Sequence, residues 1–564
     1  MRKSRQDERT RRLSRESRVD LKSGEGRLRV ALAFPNTYPV GMSTLGFHLV
    51  YNEFNNHPNV VCERAFIPEP NGIWTSTTST SRLTSLETDT LLVNFDVLAF
   101  SIHFEMDYWK ILQLLDMAGI PRLASERTEA SPLILAGGPC ASANPEPIAD
   151  FVDAFALGDA EELADCIADA LLASKSRQEA LESLSQIPGV YVPSFYAPKY
   201  ADDGTIVSIE PLGCAPRTVR RNIARLSGRE SAFSAIRTPD TEFGDISLVE
   251  VIRGCGRKCR FCLACYTNLP SRPRFFGMPK KPETIGLVGA SALDHPNARA
   301  ICKEILDSGC GFTVSSLRAE SLDAELASMI SQGGQRTLTL APEAGTLRLR
   351  RVINKAAEDD VLIDCAKMAG DAGFSKLKLY FMVGLPTETD EDIQGITDLA
   401  SKMALACGIP VELSVSVFVP KPQTPFQWTA MPEESILKKR LSLLRGLLKK
   451  VPGIKADIES PRNAVIQGVL SRGDRKVSEL VLAAFERGGN WRAALCDTGI
   501  DAYYYIHRER SLNEVLPWDH LDSRVKKEFL QAEYERALRE ETTPDCEPGA
   551  CFLCGACDDF QDYF

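Results

Sequence analysis

Two groups of closely spaced cysteines carry the chemistry this sequence could support. Cys255, Cys259 and Cys262 stand in C-x3-C-x2-C spacing. Three thiolates on one short loop can hold three irons of a 4Fe–4S cubane and leave the fourth open to a chelating small molecule. Arg253 precedes them and Arg257, Lys258 and Arg260 lie among them, and nearby positive charge favours thiolates and an anionic cluster. Cys265 extends the run to four thiols, so a structural zinc site is the alternative reading. Near the other end, Cys546, Cys551, Cys554 and Cys557 read C-x4-C-x2-C-x2-C. Four thiolates in a glycine-containing loop can ligate a second cluster or hold zinc in a tetrahedron. The chain has 17 cysteines, a density that in a reducing compartment points to metal ligation more than to disulfides.

These groups must be held by a scaffold, and the pattern predicts an α/β one. Leu28–Phe34, Val60–Ile67, Phe95–Ile102, Pro132–Ala136 and Phe151–Leu157 read as strands, alternating with helical segments at Ser43–Asn55, Met106–Ala118 and from Gly158 to Ala173. Such alternation implies a parallel sheet covered on both faces, with ligands bound outside the carboxyl ends of the strands. Here those ends carry Pro35–Gly41, Ser101–His103, Gly137–Cys140 and Gly158–Glu161. A less regular connector, 175–245, follows. A second series has strand candidates at Ile246–Arg253, Ile285–Gly289, Phe312–Ser316, Thr337–Leu340, Lys376–Met382 and Val411–Val417, a partial barrel of six units. The first cysteine group sits directly after its first strand. Residues 431–541 read as mainly helical and 542–564 as the cysteine-rich tail. Residues 1–27 read as a basic flexible arm, with an RNA-contacting or partner-docking arm as the other reading.

The ordered motifs resemble the radical S-adenosylmethionine (SAM) superfamily, in the subgroup with an N-terminal B12-binding-like domain. The resemblance rests on the cysteine loop with Phe261 before its third cysteine. It rests also on Ser315–Arg318, Ala341–Thr346, Arg348–Lys355, Lys378–Glu388 and Phe418–Phe426, and on Pro35–Met42, Gly137–Pro139 and Gly158–Glu162. It covers roughly residues 28–430, and a cysteine-rich tail is common in the family. It implies a flavodoxin-like (B12-binding-like) domain at 28–174, then a partial (β/α)6 radical SAM barrel at 246–430. It implies a 4Fe–4S cluster on Cys255, Cys259 and Cys262, with SAM on its free iron and reductive cleavage to a 5′-deoxyadenosyl radical. Phe261, Glu343, Arg348, Arg350, Gly384 and Pro386 would contact SAM. If cobalamin binds, Gly41, Met42, His103, Gly137, Gly138 and Gly158 would line its site, and methyl transfer would follow. An electron donor of the flavodoxin or ferredoxin kind and oxygen sensitivity are further implications.

Two departures stand out. Leu263–Glu283 is full of Pro, Arg and Lys where the family has a helix, and none of the six histidines lies in the D-x-H-x-x-G pattern of a cobalt-ligating histidine. A net charge of −10 disfavours broad nonspecific nucleic-acid binding. Neither a membrane-length apolar run nor a signal-peptide pattern is evident, so a cytoplasmic enzyme is expected. The substrate (RNA, peptide or small molecule) is not legible. Two other functions stand beside this reading: a methylthiotransferase-like sulfur inserter with an auxiliary cluster, and a non-enzymatic zinc and RNA-binding protein.

Overall fold

The computed structural model describes residues 2–17, 22–68, 82–226, 229, 231–279, 283–315, 317–546, 551 and 553–558. Met1 and Arg18 of the basic segment, Ser316 of the third barrel strand and its motif, and residues 547–550 and 552 of the tail motif lie outside these. Among the described residues no helix is long and apolar enough to cross a membrane.

Strands β1 (Leu28–Phe34), β2 (Val60–Phe66), β3 (Val97–Ser101), β4 (Leu133–Gly137), β5 (Ala154–Ala156) and β6 (Val190–Tyr191) form one sheet in the order β2-β1-β3-β4-β5-β6. All pairs are parallel except β5–β6. The first five strands follow the flavodoxin-like order. Val30–Phe34 are buried on both faces, as a parallel sheet between two helical layers requires. The expected strand Phe151–Leu157 shrinks to β5, because residues 146–151 turn as a 3-10 helix. Helix Arg177–Ser185 and β6 belong to this unit, so the irregular stretch begins later than residue 175. It holds a hairpin, β7 (Tyr196–Tyr200) with β8 (Ile206–Pro211), and a short β9 (Val219–Arg220).

The basic segment is not a free arm. Helix Arg2–Arg15 lies against the first unit: Arg9 donates to Leu86 O at 2.6 Å, Arg12 stacks over the Tyr38 ring, and Arg15 pairs with Asp240 at 2.7 Å. Glu16 then takes the buried Arg64 at 2.7 Å. Arginine stems and fixed partners, invisible to composition, hold it down.

The second unit opens with β10 (Ser247–Glu250) and β11 (Ile252–Arg253), the latter antiparallel to β12 (Arg272–Pro273). Strands β13 (Thr284–Val288) and β14 (Gly311–Val314) run parallel beside β10. A parallel sheet of β15 (Thr337–Glu343), β16 (Lys376–Val383), β17 (Val411–Val417) and β18 (Ile454–Ile458) continues the wall, and a bridge between Leu317 and Leu340 joins the two halves. The helix between the cysteine loop and β13 is reduced to one turn, Ala264–Thr267. Strand β18 lies in the stretch read as helical. A last strand, β19 (Leu521–Asp522), pairs with β9.

The C-terminal helices and the segment after β17 clasp the first unit. Asn144 Nδ2 donates to Ser471 O and Gly473 O at 3.0 and 2.8 Å. Gln423 reaches Ser142 O and Ala143 O, and Arg475 binds the buried Glu146 at 3.1 Å.

Candidate active site

The cysteine loop follows β11 through Gly254, whose φ is +79° and where a Cβ would lie 2.3 Å from Asn268 O. Only glycine suits that position. Successive turns, Cys262 N to Cys259 O at 3.0 Å and Cys265 N to Cys262 O at 3.2 Å, coil the loop inward. The result is one nest of thiols. Cys265, almost fully buried, lies within hydrogen-bonding reach of Cys255, Cys259 and Cys262. The Cys259 thiol is pulled down to about 6, first by the Cys265 thiol, against burial, and then by Lys355 and Arg318. Cys255 is lowered too, by Cys265 and, against burial, by the Arg257 amide on its sulfur. This donor set suits thiolate ligation. Among the described residues no three His, Cys, Asp or Glu groups meet the geometry of a single-ion site; a cubane spreads its thiolates over separate irons and asks for a wider ring.

The cations that serve the thiols are not those interleaved with them. Arg257 pairs with Asp294 at 2.6 Å and Asp545 at 2.5 Å, Lys258 donates to Pro544 O, and Arg260 turns to the buried Glu533. The positive charge comes from across the barrel. Arg318, just past β14, sets Nη1 3.6 Å from Cys259 Sγ. Lys355 is held by Glu343 at 2.9 Å, and its charge is felt at Cys259. Glu343 ends β15 with φ +67°, inside the resemblance motif and on the thiol side of the barrel. Sequence gave no reason to select Arg318 or Lys355, although both lie in quoted motifs.

Other expected SAM contacts are committed elsewhere. Arg350 has no exposed surface; it donates to Ala357 O, Ala344 O and Gly345 O and pairs with Asp359. Arg348, on the other side of the same helix, pairs with Asp392 at 2.5 Å and Glu540 at 3.0 Å. Gly384 packs under Leu437, where a Cβ would come within 2.8 Å. Pro386 and Phe261 are half-buried, Phe261 against the core.

A second feature lies beside the loop. A half-open cavity of about 340 Å³ sits at the carboxyl ends of β1, β3, β4 and β5, walled by Leu45, Leu49 and Phe54 on one side and Leu163 and Ile167 on the other. Its far wall is the barrel's: Glu250, Arg253, Asn268 and Val288. Gly137, Gly138 and Gly158 line it, but their missing side chains serve packing: at Gly138 (φ +108°) a Cβ would meet Ile102 O at 2.5 Å. His103 also lines it, stacked on Phe34 with Nε2 3.0 Å from Ser101 Oγ; burial pushes its pKa down to about 4 and keeps it neutral. Gly41 and Met42 are outside. The turn Pro35–Met42 folds onto Phe66 and Arg64, where Gly41 would clash if it had a Cβ and Met42 Sδ meets Arg64.

The Gly158–Glu162 segment proves to be a clamp. Asp159 binds Arg272 at 2.5 Å and Arg253 at 3.1 Å, Glu161 binds Arg253 at 2.7 Å and also Arg274, and Glu250 closes the set on both Arg253 and Arg274 at 2.7 Å. Arg253 stands two residues before Cys255. The first unit therefore grips the strand that presents the cysteine loop. Cys546, Cys551, Cys554 and Cys557 lie together against the same loop.

Comparison with known proteins agrees with this geometry. Residues 249–400, the barrel with its cysteine loop, match the radical SAM superfamily, and residues 46–193 match the N-terminal domain of radical SAM proteins. The chain is a radical SAM enzyme. Its N-terminal sheet has the strand order of a flavodoxin-like, B12-binding-like fold. An uncharacterised protein of Methanocaldococcus jannaschii is 29% identical over 462 residues, 80% of this radical SAM chain and 90% of that protein. Among solved structures, the radical SAM methyltransferase TsrM of Kitasatospora setae, with cobalamin and a [4Fe-4S] cluster bound, superposes with a TM-score of 0.50 at 10% identity, over 84% of this chain and 98% of that one. The cobalamin-dependent radical SAM enzyme OxsB, with aqua-cobalamin and SAM bound, gives 0.45 at 11% identity over 91% and 79%. Membership of the superfamily implies a 4Fe–4S cluster and SAM, and the zinc-scaffold reading gives way to an enzyme.

Proposed function

We propose that this enzyme binds SAM at a cluster held by Cys255, Cys259 and Cys262, binds a corrinoid in the cavity against the N-terminal sheet, and transfers a methyl group to a carbon or phosphorus centre of its substrate. When bound, the cluster supplies the low-potential electron that cleaves SAM. The protein's own part is placement and shielding. Arg318 and Lys355 keep positive charge at Cys259, and Glu343 holds Lys355 in place. Apolar side chains and bare strand ends line much of the half-open cavity, and a corrinoid would fill it and extend beyond its mouth. His103, neutral and turned to Ser101, suits a corrin face packed without a histidine ligand.

The observation that carries the reading is the shared wall. Glu250, Arg253 and Val288 line the cavity, and Arg253 leads directly into the cysteine loop, so the two sites adjoin, with the helix after the loop reduced to one turn. The test is anaerobic reconstitution with iron, sulfide and hydroxocobalamin, followed by gel filtration, absorbance and EPR with and without SAM. A corrinoid that co-elutes, and a reduced-cluster signal that shifts with SAM and is lost in Cys255→Ala/Cys259→Ala/Cys262→Ala, support it. Failure of the corrinoid to co-elute with a SAM-responsive protein removes methyl transfer and leaves hydrogen abstraction by the 5′-deoxyadenosyl radical.

A further inference from the structure

We propose that Cys546, Cys551, Cys554 and Cys557 hold a second iron–sulfur cluster that feeds electrons to the SAM-binding loop through the contact between Cys546 and Gly256. The relay rests on the reading that Cys255, Cys259 and Cys262 carry the first cluster; the tail site does not.

The first observation is how the tail is seated. Past helix Lys527–Leu538 the chain crosses the cysteine loop, and Gly256, Arg257, Lys258 and Arg260 hold it. Arg260 Nη2 donates to Glu541 O at 2.8 Å, Lys258 Nζ to Pro544 O at 2.8 Å, and Arg257 pairs with Asp545 at 2.5 Å. Asn354 donates to the carbonyls of Arg257, Lys258 and Thr543, and accepts from Thr543 N at 2.8 Å. Cys546 N donates to Gly256 O at 2.7 Å, and a Cβ on Gly256 would come within 2.9 Å of Cys546 Cβ. One peptide unit and one hydrogen bond thus connect Cys255 to Cys546.

The second observation is the nest that the tail makes. Cys546, Cys551, Cys554 and Cys557 follow one another in C-x4-C-x2-C-x2-C spacing, and Cys551, Cys554, Cys557 and Lys258 all lie near enough to act on the buried Cys546 thiol. The Ala556 amide donates to the Cys554 sulfur, as the Arg257 amide does to Cys255. Amides aimed at sulfur are a device by which proteins tune thiolate-held clusters. Lys526 N binds Cys554 O at 2.8 Å and fixes the turn. Ion pairs and hydrogen bonds already seat residues 541–546, so a metal is not needed to hold that stretch against the loop. A redox-inert zinc would add structural support alone. A cluster one hydrogen bond from a redox loop adds a path for charge.

The step is a one-electron transfer in two hops. A reduced donor of the flavodoxin or ferredoxin class loses one electron, and the tail cluster passes from 2+ to 1+. That electron then moves to the loop-held centre, which goes from 2+ to 1+ as the tail cluster returns to 2+. No bond is made or broken and no proton moves.

The test uses the full chain, reconstituted anaerobically with ferrous iron and sulfide. Iron, sulfide and zinc are measured in the wild type, in Cys551→Ser/Cys554→Ser, and in Cys255→Ser/Cys259→Ser/Cys262→Ser. About eight irons per chain in the wild type and about four in each variant are expected from one cubane per cysteine group. The tail variant is then reduced with dithionite or with reduced flavodoxin. Dithionite should restore the full first-cluster EPR signal, while reduction by flavodoxin slows at least about tenfold. Zinc in the tail, or iron unchanged in the tail variant, overturns the cluster; equal flavodoxin rates overturn the relay. Where the tail variant does not fold, the triple variant decides: about four irons retained support the tail cluster and none overturns it. A wild type blind to SAM defeats the functional reading alone, because the iron count of the triple variant stands apart from it.

Discussion

Arg260 sits between two cluster cysteines, yet its guanidinium serves the fold. It has no exposed surface and points at Glu533, which has none either, at 3.1 Å. It also donates to Arg351 O, Val352 O and Glu541 O at 3.1, 3.0 and 2.8 Å. Arg260→Met keeps the side chain's length and removes every donor. Breaking one partner of a buried pair costs about 3–5 kcal/mol, because the other charge stays buried. Glu533 keeps Arg536 and Thr543 on its other oxygen at 2.7 and 2.6 Å, which places the loss toward the lower end, while three carbonyls stripped of a donor push it back up. At about 2–4 °C per kcal/mol for a unit of a couple of hundred residues, the unfolding midpoint should fall by roughly 6–20 °C. Near-UV circular dichroism of the metal-free chain reads that shift, and hydrogen exchange should show residues 541–546 losing protection. Arg260→Met/Glu533→Met, with both charges gone, should recover most of the stability. A single-variant shift under about 2 °C, or a double variant worse than the single, refutes the reasoning.

Other outcomes follow from the same geometry. Cys265→Ala should keep its iron and its SAM-responsive EPR signal, because three thiolates suffice for the first cluster; loss of about four irons would instead mean that Cys265 is an obligatory ligand. Arg350→Gln should cost about 2–4 kcal/mol in urea unfolding by stranding buried carbonyls, and Arg348→Gln under about 1 kcal/mol. Calorimetric titration should find SAM affinity within about twofold of wild type in both; a larger loss in either would restore it as a SAM contact. Burial pushes Asp159 and Glu161 up, but the guanidiniums of Arg253 with Arg272, and of Arg253 with Arg274, outweigh it and hold both below the ordinary carboxylate range. Their contribution is therefore complete above the unfolded carboxylate pKa of about 4 and is lost as pH falls through the lower folded values. The unfolding midpoint should drop steeply below about pH 4, and Asp159→Asn should flatten that drop; an unchanged slope would show that the clamp adds no stability.

The barrel strands were legible because they are buried on alternate or both sides and rich in Val, Leu and Ile; Val411–Val417 has the bounds that its pattern suggested. Strand β18 was not, because its sequence IKADI is largely solvent-facing and offers no apolar run. The cysteine loop was legible from spacing alone. Its electrostatics were not: Arg257, Lys258 and Arg260 adjoin the cysteines in sequence but face Asp294, the tail and Glu533, while Arg318 and Lys355 arrive from segments about 60 and 95 residues further along the chain. Arg348 and Arg350 look alike in sequence, but two residues on a helix turn the side chain to the opposite face. The acidic pair of Gly158–Glu162 read as a ligand turn, since its partners lie about a hundred residues away and leave no local mark.

The tail's position also sets a clock for assembly. Arg257 and Asp545 are 288 residues apart in the chain, and at about 5–20 residues per second of synthesis the loop waits roughly 15–60 s before its cover exists. Through that interval the first thiols are already spaced for iron but not yet crossed by residues 541–546. An iron donor thus meets an uncovered loop during that interval and a loop crossed by the tail afterwards.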